Sequence, residues 1–173
     1  MPVQGITGPA RLTFEGISIT PAQDALLFHL VPEDAAMIAK SFDVARRILE
    51  KLPHTPIAAM GINFAYEVGP LEGQLTKTVA WADDIGELIE DDPDAKVVSR
   101  NWQLGIAAMG HLVNLACQSN AESGSITVNH HYEVEGSAAR AAETLASDGL
   151  FERLLATTNQ LVGRLVKGDS NEG

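Results

Sequence analysis

Around Tyr66 and Tyr132, apolar and polar residues alternate strictly, and this period of two constrains the fold more than any other feature of the chain. Ile62, Phe64, Tyr66 and Val68 fall on one side of an extended strand, with Gly61, Asn63, Ala65 and Glu67 on the other. Ile126, Val128, His130, Tyr132 and Val134 repeat the arrangement, with Thr127, Asn129, His131 and Glu133 opposite. A helix would scatter these side chains around its axis, so both stretches read as strands with one oily and one wetter face.

The two stretches also share wording. Asn63-Phe64-Ala65-Tyr66-Glu67-Val68 is echoed by Asn129-His130-His131-Tyr132-Glu133-Val134, and Ile57-Ala58-Ala59-Met60-Gly61 returns as Ile106-Ala107-Ala108-Met109-Gly110. The first echo is offset by 66 residues and the second by 49. A duplicated unit would keep one period. The echoes therefore reflect convergence on similar strand chemistry.

Other elements follow from punctuation. Residues 1–10 read as a flexible lead-in, and a strand from Leu12 through Ile19 is followed by a turn over Thr20–Asp24 and a second strand over Ala25–Val31. Pro32-Glu33-Asp34 opens a helix with Ile38, Phe42, Ala45, Ile48, Leu49 and Leu52 inward, ending before Pro53. Ser41 and Asp43 offer an alternative start for a shorter helix. A strand over 74–79 and a short helix over 82–89 come next. Extended runs over 96–106, 111–118 and 124–135 follow, with reversals at Gly110 and Asn120–Gly124. Ser137 caps a short alanine-rich helix, and a longer helix over 148–167 turns Leu154, Leu155, Thr158, Leu161, Val162 and Leu165 inward. The expected fold is α+β: a single antiparallel β-sheet of five to seven strands covered on one face by two main α-helices. One domain spans residues 11–167, and 168–173 form a disordered tail.

The composition narrows function mainly by exclusion. A formal net charge of -11, without a compensating basic stripe, disfavours phosphate backbones, so no nucleic-acid partner is expected. No long apolar run suits a bilayer and no export segment opens the chain, which points to a cytoplasmic protein with no membrane partner. The lone Cys117, set between apolar neighbours, reads as a structural thiol.

No motif marks chemistry outright. His130 and His131 are adjacent and point to opposite faces, so one metal ion cannot take both. His130 reads as a packed, hydrogen-bonded core or interface histidine. The catalytic candidates are His131 with Glu133 or Glu67, and His111, because a histidine beside a carboxylate is the simplest acid–base pair available. Ser123-Gly124-Ser125 resembles a turn rather than a nucleophile elbow, and no glycine-rich phosphate loop with its lysine is present. Asp91, Asp92 and Asp94 are the candidate metal ligands, in an acidic run that lacks the glycine and terminal glutamate of a regular calcium loop. No cofactor is expected.

These observations favour a noncatalytic self-associating binding or assembly protein, a homo-oligomer with the dimer as its simplest form. Trp102, Tyr66 and Tyr132 are its candidate interface residues, and Trp102, Ala65 and Ala116 are expected on the sheet face turned away from the helices. The alternatives are a small cofactor-independent enzyme using a strand histidine and a carboxylate, or a module that binds cations or a basic partner through residues 83–94. Whether the chain is an enzyme stays open at this level.

Overall fold

In the computed structural model the described residues are 11–22, 25–30, 35–68, 99–108, 110–120 and 122–167. The expected strand over 74–79 and helix over 82–89, the acidic run at 83–94, the lead-in and the tail lie outside them. The chain divides into two compact units, one of Met1–Ala58 with Val134–Leu150, the other of Ala59–Glu133 with Phe151–Gly173.

In the first unit, the opening extended run is two strands rather than one. Glu15 and Gly16 take φ of 45° and 84°, the positive values that a tight two-residue hairpin requires, and they join β1 (Leu12–Phe14) to β2 (Ile17–Pro21). β3 (Leu26–Leu30) pairs antiparallel with β2, giving a three-stranded sheet in the order β1-β2-β3. Helix α1 (Ala35–Lys51) runs unbroken through the alternative start at Ser41, whose buried hydroxyl donates to the Ile38 carbonyl at 2.7 Å. Asp43 instead pairs with Arg46 and Arg47 on the outer helix surface, and the hydrogen bond from Arg46 lowers its pKa. Lys40 pairs with Glu15 and lies 5.4 Å from the Phe14 ring centroid, tying α1 to the hairpin. Helix α2 (Ala138–Leu145) begins as expected, with the Ser137 side chain accepting from the Arg140 amide at 3.3 Å. Its buried Ala138, Ala141 and Ala142 allow close packing against α1.

The second unit is a four-stranded antiparallel sheet in the order β4-β7-β6-β5, made of β4 (Ala59–Val68), β5 (Ser99–Ala108), β6 (His111–Asn120) and β7 (Gly124–Glu133). Asn120 builds the β6–β7 turn: its side-chain oxygen accepts from the amides of Glu122 and Ser123, both at 2.8 Å. Helix α3 (Leu150–Lys167) sets Leu154, Thr158, Val162 and Leu165 along one buried stripe. Val162 and Leu165 close over Val113, Leu115, Cys117, Ile126 and Val128. Each of the larger aliphatic side chains buried there contributes about 1.5–3 kcal/mol. Burial also pushes the Cys117 thiol up to about 11, as an inert core sulfur requires.

The α+β class and antiparallel pairing are therefore present, but the single sheet of five to seven strands with two helices is overturned. Two sheets of three and four strands form, with three helices among the described residues. Alternation specifies which side of a strand is buried and leaves its neighbour open. β4 takes β7 as its hydrogen-bonded partner, so the chain's first three strands close among themselves.

The echoed strands prove to be neighbours. β4 and β7 run antiparallel, so the two copies of the shared wording meet in opposite directions and coincide only at Asn63 and Asn129, which are directly opposed.

Candidate functional site

The four-stranded sheet carries two unlike sets of polar side chains, one on each face. On the face covered by α3, His130 is fully buried at 0% exposure. Its Nδ1 lies 2.8 Å from His111 Nε2 on β6, and its Nε2 lies 2.8 Å from Thr158 Oγ1 on α3. Both ring nitrogens are thus satisfied within a chain that links two strands to the helix. Phe64 meets His130 edge-on with centroids 5.8 Å apart, and His111 stacks on Tyr132 at 4.4 Å. Burial, reinforced by the nearby His111, drives the His130 pKa down to about 4, so the ring is neutral at neutral pH. A neutral ring can donate at one nitrogen and accept at the other, which is what this geometry asks of it.

The other face is open and built from amides and small residues. Asn114 Nδ2 donates to Asn129 Oδ1 at 3.2 Å, and Asn129 Nδ2 donates to Asn63 Oδ1 at 2.8 Å. The three asparagines occupy one cross-strand row, since Asn63 opposes Asn129 and Asn129 opposes Asn114. Gly105 occupies the fourth place in that row, on β5. Gly61 explains how Asn129 fits: a Cβ there would come within 2.8 Å of Asn129 Nδ2. Ala65, Ala107 and Ala116 extend the shallow surface around the row, and Leu112, 39% exposed, is its one large exposed aliphatic among the described residues.

The sequence-derived candidates divide between these faces. His131 and Glu133 share the open face of β7 and are not hydrogen-bonded to one another among the described residues. Glu67 is on the same face but at the other end of β4, opposite Ser125, whereas His131 opposes Gly61. Six residues of extended chain separate Gly61 from Glu67, about 20 Å. His111 lies on the covered face, bonded to His130. Asp91, Asp92 and Asp94 lie outside the described residues. No group of three or more His, Cys, Asp or Glu side chains is arranged to hold a metal ion among the described residues.

Trp102, Tyr66 and Tyr132 all sit on the covered face. Trp102 opposes Cys117 and packs on the core cluster, which corrects its expected place on the open face. Its Nε1 is buried without a hydrogen-bond partner among the described residues. The Tyr66 hydroxyl donates to Asn159 Oδ1 on α3 at 2.8 Å. Ala65 and Ala116 do lie on the open face, opposite Thr127 from either side. A shallow surface depression of about 460 Å³ at one end of the sheet is lined by Glu67, Asn101, Gln118, Asn120 and Ser125 among others, and carries no histidine or cysteine.

The asparagine row and the His111–His130 pair are the arrangements that strand-by-strand reading missed. Both are cross-strand features, and the only early signal was the shared Asn at the head of the echoed segments. No helix among the described residues is long and apolar enough to cross a membrane. Comparison with protein-family models, with curated proteins and with solved structures gives no match.

Proposed function

We propose that this chain is a noncatalytic binding or assembly module that works as a homo-oligomer, a dimer in its simplest form, through the open side of the four-stranded sheet. The observation that supports this reading is the character of that side. Its centre is an uncharged, hydrogen-bonded row of three asparagines flanked by Gly61, Ala65, Gly105 and Ala116. The carboxylates at described positions on it, Glu67 and Glu133, stand toward the ends of their strands, as does His131. A flat, weakly charged centre lets another backbone approach closely, and the small residues leave room for it.

A cofactor-independent enzyme draws on the His111–His130–Thr158 chain, a polar network on the covered face. It is the weaker reading. His130 is sealed from solvent, and the carboxylates proposed to act with a histidine are on the opposite face.

Light scattering on the purified full chain across a wide concentration range tests the leading reading. The expected result is a mass of two chains that falls toward one on dilution, with Ala65→Arg shifting the transition to higher concentration. A mass of one chain at every concentration contradicts it. Turnover of any substrate abolished by His111→Ala, with folding intact, would favour the enzyme instead.

A further inference from the structure

We infer that β4 is the dimerisation edge, and that a second copy of this chain adds to it antiparallel with Asn63 facing Asn63 across the twofold axis. This rests on the self-association reading above and moves its contact from the centre of the open face to the β4 edge, where that face's asparagine row ends.

The first ground is the direction of the asparagine row. Every bond in it runs the same way, from Nδ2 of one residue to Oδ1 of the next, from Asn114 to Asn129 to Asn63. At the β5 end the row stops, because Gly105 has no side chain to continue it, and Asn114 Oδ1 lies 3.6 Å from where a Cβ would stand. At the β4 end it stops with a donor in hand. Asn63 is exposed, and its Nδ2 has no acceptor among the described residues. An amide oxygen has two lone pairs, so Asn63 Oδ1 can accept from Asn129 and from a second Asn63 together. At the twofold axis the two rows meet head to head, so the two Asn63 amides pair reciprocally, each Nδ2 donating to the other's Oδ1.

The second ground is the strand itself. β4 is ten residues long, pairs on one side only among the described strands, and contains no proline, lysine or arginine. Those are the usual devices that stop an edge from recruiting another strand.

The third is that the register it implies is free of conflict. With Asn63 on the axis, Ile62 faces Phe64, Gly61 faces Ala65, Met60 faces Tyr66 and Ala59 faces Glu67 of the second copy. Apolar residues meet apolar residues toward the helix-covered side, small residues meet small ones on the open side, and the only carboxylate in the strand meets a methyl group. No like charges oppose each other. The partner's identity follows from this self-complementarity, because an unrelated strand would have to present the same amide at the same level.

Disulfide trapping tests it without touching the row. In the full chain with Cys117→Ala as background, Ala59→Cys and Glu67→Cys are combined. Within one copy these positions are about 26 Å apart and cannot bridge; across the proposed axis they are directly opposed, within the reach of a disulfide. Mild oxidation is expected to give a covalent dimer from the double variant and none from either single variant. Asn63→Asp, which sets two carboxylates on the axis, is expected to weaken the dimer about tenfold or more, with unchanged circular dichroism. If the protein is dimeric by light scattering but the double variant stays uncrosslinked, or the single variants crosslink equally well, the β4 edge is wrong while self-association stands. A strictly monomeric protein overturns both.

Discussion

The two faces of the four-stranded sheet differ in what they ask of a side chain, and the contrast accounts for most of the unit. On the covered face, position is set by volume and by the need to satisfy buried polar atoms, which His130 meets and Trp102 Nε1, unpartnered among the described residues, does not. Leu115, Ile126 and Val128 are within 2% of complete burial, and the one buried histidine finds partners for both nitrogens. On the open face, position is set by reach. Gly61 is required because Asn129 lies over it, and the asparagines pair because they are level and short. Adjacent residues obey different rules: His130 is neutral and enclosed, while His131 beside it is partly exposed and faces the amide row.

Truncation should break the contrast most strongly. Ile126→Ala removes a fully buried side chain and is expected to cost about 3–4 kcal/mol, whereas Thr127→Ala, the next residue on the open face, should stay within about 0.5 kcal/mol. Urea unfolding of the two variants checks this. Similar losses would mean that the faces are not distinct.

Acid should act next, and through one face. Unfolded, His130 takes up a proton near 6.5; folded, it resists until about 4. The unfolded state therefore binds more protons between those values, so stability rises with pH across that window. The contribution of the neutral ring is fully present above pH 6.5 and is lost as the pH falls to about 4. The change is about 3 kcal/mol. Comparing the pH dependence of unfolding for the wild type and His130→Leu isolates it: the variant should have a shallower slope in that window. Equal slopes would show that His130 is accessible to protons in the fold. A smaller effect is expected of Thr158→Val, which keeps the shape but leaves His130 Nε2 unpaired, at about 1–3 kcal/mol.

The open face should yield the smallest effect on folding. Gly61→Ala pushes the Asn129 amide aside and breaks its bond to Asn63, at about 1 kcal/mol or less, because the displaced group is the end of a side chain bordering solvent. Its larger consequence should be for assembly. A variant that folds normally but associates more weakly separates the two roles of the sheet.

How far the sequence reveals this molecule depends on whether a property belongs to one strand or to a pair. Which residues of β4 and β7 point inward was legible, because alternation is local and Ile126, Val128 and His130 are buried as the pattern requires. The Ser137 cap and the inward position of Thr158 were legible for the same reason. The division into two sheets was not, since neighbour choice depends on long-range hydrogen bonding. Trp102 illustrates the cost: its face follows from the register of β5 on β6, where Ala108 opposes His111 and Trp102 therefore opposes Cys117. The Glu15-Gly16 hairpin was missed because glutamate is an uncommon choice at positive φ. The histidine pair and the asparagine row needed the same register, as each joins residues far apart in the chain.

Hydrogen exchange of the β4 amides, followed as a function of protein concentration, is the most direct test of the proposal that this sheet is half of a larger one. Outward-facing amides between Ala59 and Val68 are expected to gain protection as concentration rises, while those of β7, already paired on both sides, change little. Exchange in β4 that is the same at every concentration would contradict it.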